Sequence, residues 1–203
     1  MGRPEFFQTE ADVHDKSVLR RTLRRTRASL PPAYRDAVAA RLPRLARALI
    51  GRGKRLGAYV ASGSELDLTP LMNAALWRGA RVFVPSIPRR HRRLWFTEVD
   101  GRGRWYREPR YHLWEYHGPR SRAESLDVLF VPLVGVDAHG FRLGQGGGFY
   151  DSSLHFRRHR RVGRKPLIVG VAFDCQKVDA VPREPWDVRL DALLTESGLL
   201  RFR

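Results

Sequence analysis

Asp127-Val128-Leu129-Phe130-Val131-Pro132, followed by Asp137-Ala138-His139-Gly140-Phe141-Arg142-Leu143-Gly144-Gln145-Gly146-Gly147-Gly148-Phe149-Tyr150-Asp151, is the stretch that decides the fold. The apolar run Asp127 to Val136 has the pattern of a strand buried on both faces, as in a parallel sheet. A loop with Gly140 follows, then four glycines at 144, 146, 147 and 148, then a helix expected near Ser152 to Arg160. Glycines let consecutive amides turn toward an anion, and the following helix adds its positive end. The stretch therefore reads as a phosphate cradle, with a purely structural tight turn as the competing reading. No Lys-Ser/Thr follows the glycines, so it is not a Walker A loop. It lies too late in the chain for a dinucleotide fingerprint. Arg142 can pair with phosphate or stay solvated, and Asp151 can hold a hard cation or cap the helix.

Working outward, strands and helices alternate. From Asp15 a helical period places Leu19, Leu23, Thr26 and Leu30 on one face and Lys16, Arg20, Arg24 and Arg27 in a second stripe. Leu30-Pro31-Pro32 ends that helix, and Pro32 opens the next. There Val38, Leu42, Leu45 and Leu49 recur, Pro43 suggests a kink, and Gly51 stands where a C-terminal cap is expected. Strands are expected at Arg55–Ala61, Arg81–Val84, Leu94–Val99, Leu167–Phe173 and Ala192–Thr195, with a helix from Thr69-Pro70 to Gly79. The polar, aromatic segment Gly101–Ser125 reads as an irregular surface excursion. The expectation is an α/β fold: a mostly parallel sheet with helices on both faces and ligands at the carboxyl ends of its strands.

The 203 residues suit one domain over residues 12–203, with 1–11 as a loose tail. An apolar fraction of 42% and five Trp mark a globular chain. The single cysteine, Cys175, excludes an internal disulfide framework; it reads as a small buried residue after a strand rather than a nucleophile. No secretory signal is visible, and the nine-residue run Val128–Val136 is far short of the ~20 residues of a membrane span. A cytoplasmic monomer without membrane partners is expected. The net charge of +17 is spread over Arg20–Arg27, Arg89–Arg93 and Arg157–Lys165 and does not by itself choose among nucleic acid, polyphosphate and polyglutamate partners.

The segment Arg142-Leu143-Gly144-x-Gly146-Gly147-Gly148-Phe149-Tyr150-Asp151 resembles the signature of the 5-formyltetrahydrofolate cyclo-ligase family, also called methenyltetrahydrofolate synthetases. Three more motifs fall in the right order. Lys16-Ser17-Val18-Leu19-Arg20 is similar to the family's opening Lys-x-x-x-Arg helix. Ser62-Gly63-Ser64-Glu65-Leu66-Asp67 is similar to its Glu-x-Asp folate turn. Val181-Pro182-Arg183-Glu184-Pro185-Trp186-Asp187, with Leu190-Asp191 and Thr195-Glu196, is similar to its C-terminal signature. The resemblance spans Lys16 to Glu196.

The resemblance implies a three-layer α/β sandwich of the NagB/RpiA/CoA-transferase type. It further implies ATP- and Mg²⁺-dependent conversion of 5-formyltetrahydrofolate into 5,10-methenyltetrahydrofolate, with release of ADP and phosphate. Lys16 and Arg20, one helical turn apart, would face the triphosphate together with residues 142–150, namely Arg142, Leu143, Gly144, Gln145, Gly146, Gly147, Gly148, Phe149 and Tyr150. Gln145, Gly146, Gly147, Gly148 and Phe149 would also line the folate side, beside Val60 and Glu65, whose carboxylate suits an aminopyrimidinone edge. Asp151 and Asp187 would be the Mg²⁺ ligands, and Tyr150, with Arg142, would serve at the reacting formyl group. Taken alone, Lys16 and Arg20 read as a solvated basic face, and Glu65 as charge complementing the helix at Thr69. Gln145, Gly147, Phe149 and Trp186 depart from residues frequent in the family. The alternative is a basic α/β module that binds RNA or a nucleotide without turnover, with Trp95, Trp105 and Trp114 near the Arg-rich stretches to stack on bases.

Overall fold

The apolar run at 128–132 forms the middle of the sheet. The computed structural model describes residues 15–158 and 165–202; the expected tail at 1–11 and the end of the helix expected to reach Arg160 lie outside them. In chain order the elements are α1 (Lys16–Ala28), α2 (Pro32–Leu45), β1 (Arg55–Gly57), α3 (Thr69–Trp77), β2 (Arg81–Ser86), β3 (Trp95–Glu98), β4 (Trp105–Arg107) and β5 (Trp114–Tyr116). Then come β6 (Arg120–Ser121), β7 (Val128–Pro132), β8 (Gly135–Val136), β9 (Arg142–Leu143), α4 (Phe149–Leu154), β10 (Leu167–Val171), β11 (Ala192–Thr195) and β12 (Gly198–Arg201).

Eight strands form one sheet in the order β12-β11-β10-β7-β1-β2-β3-β6. The five inner strands from β11 to β2 are parallel, and the outer strands β12, β3 and β6 join antiparallel. Side chains on β7 alternate between two cores, as the pleat requires. Val128 and Phe130 face the layer of α2 and α3, packing with Val38, Leu42 and Leu71. Leu129 and Val131 face the opposite layer, with Leu126, Leu154 and Leu190. The result is the expected three-layer α/β arrangement. At Gly57 a Cβ would stand 2.5 Å from Leu129 and 2.7 Å from Leu126, so only glycine lets β1 lie this close to the second layer.

Helix α1 is anchored separately. Leu19 and Leu23 pack with Val134, Leu143 and Val181 in a third, smaller cluster. Its N-cap is Asp15, whose carboxylate accepts from the Ser17 and Val18 amides. The buried face runs through Leu19, Leu23 and Arg27, not Thr26 and Leu30 as the periodicity suggests. Arg27 is tolerated there because its guanidinium donates to Ser64 Oγ at 3.0 Å and the Leu133 carbonyl at 3.3 Å. Burial pushes its pKa down.

Other boundaries move for local reasons. Helix α2 runs through Pro43 but stops at Leu45, capped at Ala46, so Leu49 is buried beyond the helix and Gly51 is not its cap. Strand β1 ends at Gly57, four residues early, as the chain leaves the sheet toward the Glu65 turn; the Tyr59 hydroxyl donates to the Leu66 carbonyl at 2.7 Å and fixes that exit. Segment 101–125 is not irregular: β4 and β5 form a hairpin and β6 extends the sheet. Its polar composition hides the strands because the inward polar groups satisfy one another. Glu115, 2% exposed, accepts from Ser86 Oγ at 2.8 Å, from the Ile87 amide at 2.7 Å and from the Tyr106 hydroxyl.

Candidate active site

At the carboxyl ends of the central strands lies a cavity of about 560 Å³. Every residue singled out in the sequence lines it: Lys16 and Arg20 from α1, Val60 and Glu65 after β1, Arg142 through Asp151, and Asp187.

The glycine turn forms one wall. Gly146 and Gly148 have φ of 103° and 66°, a region that disfavours other residues. Among the described residues, the amides of Gly144 to Gly148 donate to no protein acceptor. Five unpartnered N–H groups on one cavity wall suit an anion. Two of its carbonyls face α1: Arg20 Nε donates to the Gly144 oxygen at 2.8 Å and Arg24 to the Gln145 oxygen at 3.3 Å. Arg20 is thus bound into the site and is not a solvated stripe.

The acidic residues are held by cations. Buried Arg142 donates to Asp151 Oδ1 at 2.6 Å and to the Val188 carbonyl at 2.5 Å. Asp151 therefore turns away from capping α4, whose N-cap is Gly148. Lys16 Nζ lies 3.7 Å from Asp187 and 3.6 Å from Glu184. Asp187 Oδ2 also accepts from the Glu184 amide at 2.8 Å. Among the described residues, Asp151 Oδ2 and Asp187 Oδ1 have no hydrogen-bond partner. No cluster of three or more metal-binding side chains exists among those residues. Two such carboxylate oxygens could contribute to a magnesium site completed by water and phosphate, which needs no all-protein cage.

Beside the glycine turn, Glu65 Oε2 accepts from the Ser62 amide at 3.0 Å and Oε1 from Gln145 Nε2 at 2.9 Å. Helix α3 is served instead by Asp67, which accepts from the Thr69 amide at 2.9 Å and hydroxyl at 2.7 Å. That frees Glu65 from helix capping. Burial, then the nearby Glu65 charge, raises the Tyr150 hydroxyl far above the usual phenol range, so it remains a neutral donor. Cys175 packs partly against the α2–α3 core, and burial pushes its thiol pKa up, as expected of a structural cysteine.

Several cavity residues escaped the sequence reading. Tyr111, at the β4–β5 turn, meets Phe149 edge to face at 5.6 Å, and Trp114 and Glu115 line the same wall. They sit in the segment taken for a surface excursion, and only its aromatic density could have flagged them. Arg92 approaches the turn, 3.5 Å from where a Gly148 Cβ would stand. Arg24 was visible as the third member of the Lys16–Arg20 stripe.

The model of the 5-formyltetrahydrofolate cyclo-ligase family matches residues 12–196. The chain belongs to the 5-formyltetrahydrofolate cyclo-ligase family. The cyclo-ligase of Mycolicibacterium smegmatis is 32% identical over 197 residues, covering 93% of this chain and 97% of that one. The cyclo-ligase of Escherichia coli is 37% identical over 147 residues, covering 68% and 76%. The solved structure of 5,10-methenyltetrahydrofolate synthetase from Aquifex aeolicus superposes with a TM-score of 0.75 at 29% identity, covering 93% of each chain. This cyclo-ligase is therefore an enzyme of folate one-carbon metabolism that closes 5-formyltetrahydrofolate to 5,10-methenyltetrahydrofolate.

Proposed function

We propose that the cyclo-ligase couples ring closure to ATP, with the triphosphate on the Gly144–Gly148 wall and the pterin against Glu65 and Val60. The observation that carries this reading is the pairing of five unpartnered amides with a held carboxylate across one cavity. In the reaction the formyl oxygen would attack the γ-phosphorus and ADP would leave; the second folate nitrogen would then attack the activated carbon and lose its proton, and the carbon–oxygen bond would break to release phosphate as the ring closes. The work of the protein is positioning and charge neutralisation.

Lys16, Arg20 and Arg142 supply cations to the phosphates, and the glycine amides supply donors that need no reorganisation. Asp151 and Asp187 would hold Mg²⁺, which supplies further charge neutralisation at the phosphate oxygens. Glu65 would accept two hydrogen bonds from the aminopyrimidinone edge while Val60 packs beside the ring. Tyr150, kept protonated, would orient the formyl oxygen, and Phe149, backed by Tyr111, would close the wall behind it. We place this activity in a monomeric, single-domain cytoplasmic enzyme, in keeping with one half-buried thiol and no disulfide chemistry.

The test is optical. Purified enzyme with 5-formyltetrahydrofolate should give the near-ultraviolet absorbance of the methenyl product only when both ATP and Mg²⁺ are present. Product formation without ATP would remove the nucleotide from the scheme, and formation with ATP but no Mg²⁺ would remove the metal.

A further inference from the structure

Arg24 stands outside the cavity wall, on the α1 stripe one turn beyond Arg20. Its Nε and Nη2 donate to Gln145 Oε1 at 3.0 and 2.6 Å. The other end of that amide donates from Nε2 to Glu65 Oε1 at 2.9 Å. An arginine only donates and an ionised carboxylate only accepts, so the Gln145 amide has a single orientation between them. Glu65 Oε2 is held in turn by the Ser62 amide at 3.0 Å. Each carboxylate oxygen thus carries one protein donor and keeps lone-pair capacity for a ligand.

From this we propose that Arg24 is a positioning residue for folate recognition, acting through Gln145 to fix the Glu65 carboxylate. Without Arg24 the amide can rotate and present its oxygen to Glu65, which repels the carboxylate and lets it swing out of register. Held as it is, the carboxylate matches a pair of parallel N–H donors, and its rotamer freedom is removed before the ligand arrives. The same helix carries Lys16 and Arg20, so one rigid element indexes both the phosphate wall and the pterin wall. This positioning role rests on Glu65 being a folate contact.

The experiment measures the dissociation constant of 5-formyltetrahydrofolate without nucleotide, by quenching of tryptophan fluorescence. Arg24→Met and Gln145→Met should each weaken binding by roughly five- to tenfold, the scale of a hydrogen bond to a charged group in contact with water. The double variant should be no worse than the weaker single one, because both break one chain of contacts. Arg24→Lys, which restores one donor, should recover part of the loss, and Arg21→Met on the exposed face should bind as the parent does. Glu65→Gln decides the underlying role: if it binds folate normally, Glu65 is not a contact and the positioning role goes with it. If Glu65→Gln weakens folate while Arg24→Met does not, or the two methionine losses add, the relay alone is overturned. Equal weakening of ATP binding by Arg24→Met would also overturn it, by placing Arg24 with the phosphate wall.

Discussion

At the residue scale the acidic pair is the sharpest point of the site. Asp151 and Asp187 are each tied to a cation of the protein, at 2.6 Å to Arg142 and 3.7 Å to Lys16. Asp151→Asn keeps an oxygen that can accept from Arg142, so Arg142 is not left without a partner. In the proposed role, its charge toward magnesium is lost. Turnover at saturating ATP should fall by about 100-fold, at the upper end of what loss of supporting metal contacts costs, while the far-ultraviolet circular dichroism stays that of the parent. A variant that turns over normally would remove Asp151 from the metal. That the motif residues gather at one cavity could be read from the chain because their types suit one chemistry: glycines for close backbone approach, carboxylates for a hard cation. What could not be read is the pairing in the protein itself. That Asp151 leans on Arg142 and Glu65 on Gln145 depends on distances between residues 9 and 80 positions apart in sequence.

At the element scale α1 is the part whose loss should be felt in binding before stability. Leu23, 5% exposed, holds the helix down through contacts with Val134, Leu143 and Val181. Leu23→Ala should cost about 2–3 kcal/mol in chemical denaturation and also raise KM for ATP, because Lys16 and Arg20 ride on the same helix. A stability loss with unchanged KM would show that α1 positions nothing. Strands β2, β3, β10 and β11 match their expected positions to within two residues, while β7 begins where expected but stops at Pro132, four residues short of Val136. Hairpin β4–β5 was not legible, because burying Glu115 against Ser86 and Tyr106 makes an inward face that looks like an outward one. Strand β12 was missed as well; four residues after a turn at Gly198 gain their identity only from pairing with β11.

At the scale of the whole molecule, the chain carries 38 Lys and Arg against 21 Asp and Glu, and both proposed ligands of the cavity are anionic. Such a field raises encounter rates and is screened by salt. We expect kcat/KM for both ligands to fall steadily as ionic strength rises from 0.02 to 0.5 M, roughly tenfold overall, with kcat nearly constant. A flat profile would leave the charge without a role in this reaction. The heat response should also be uneven. The sheet is held by two large cores, whereas Leu19 and Leu23 of α1 pack on Val134, Leu143 and Val181 in a separate small cluster. Such an element can open alone. Activity should therefore disappear several degrees below the melting of the sheet, the α1 amides exchanging with deuterium first, and ATP should close that gap by holding the helix in place. The enzyme would then be a protein that stops working while still folded, with its substrate as its own preservative.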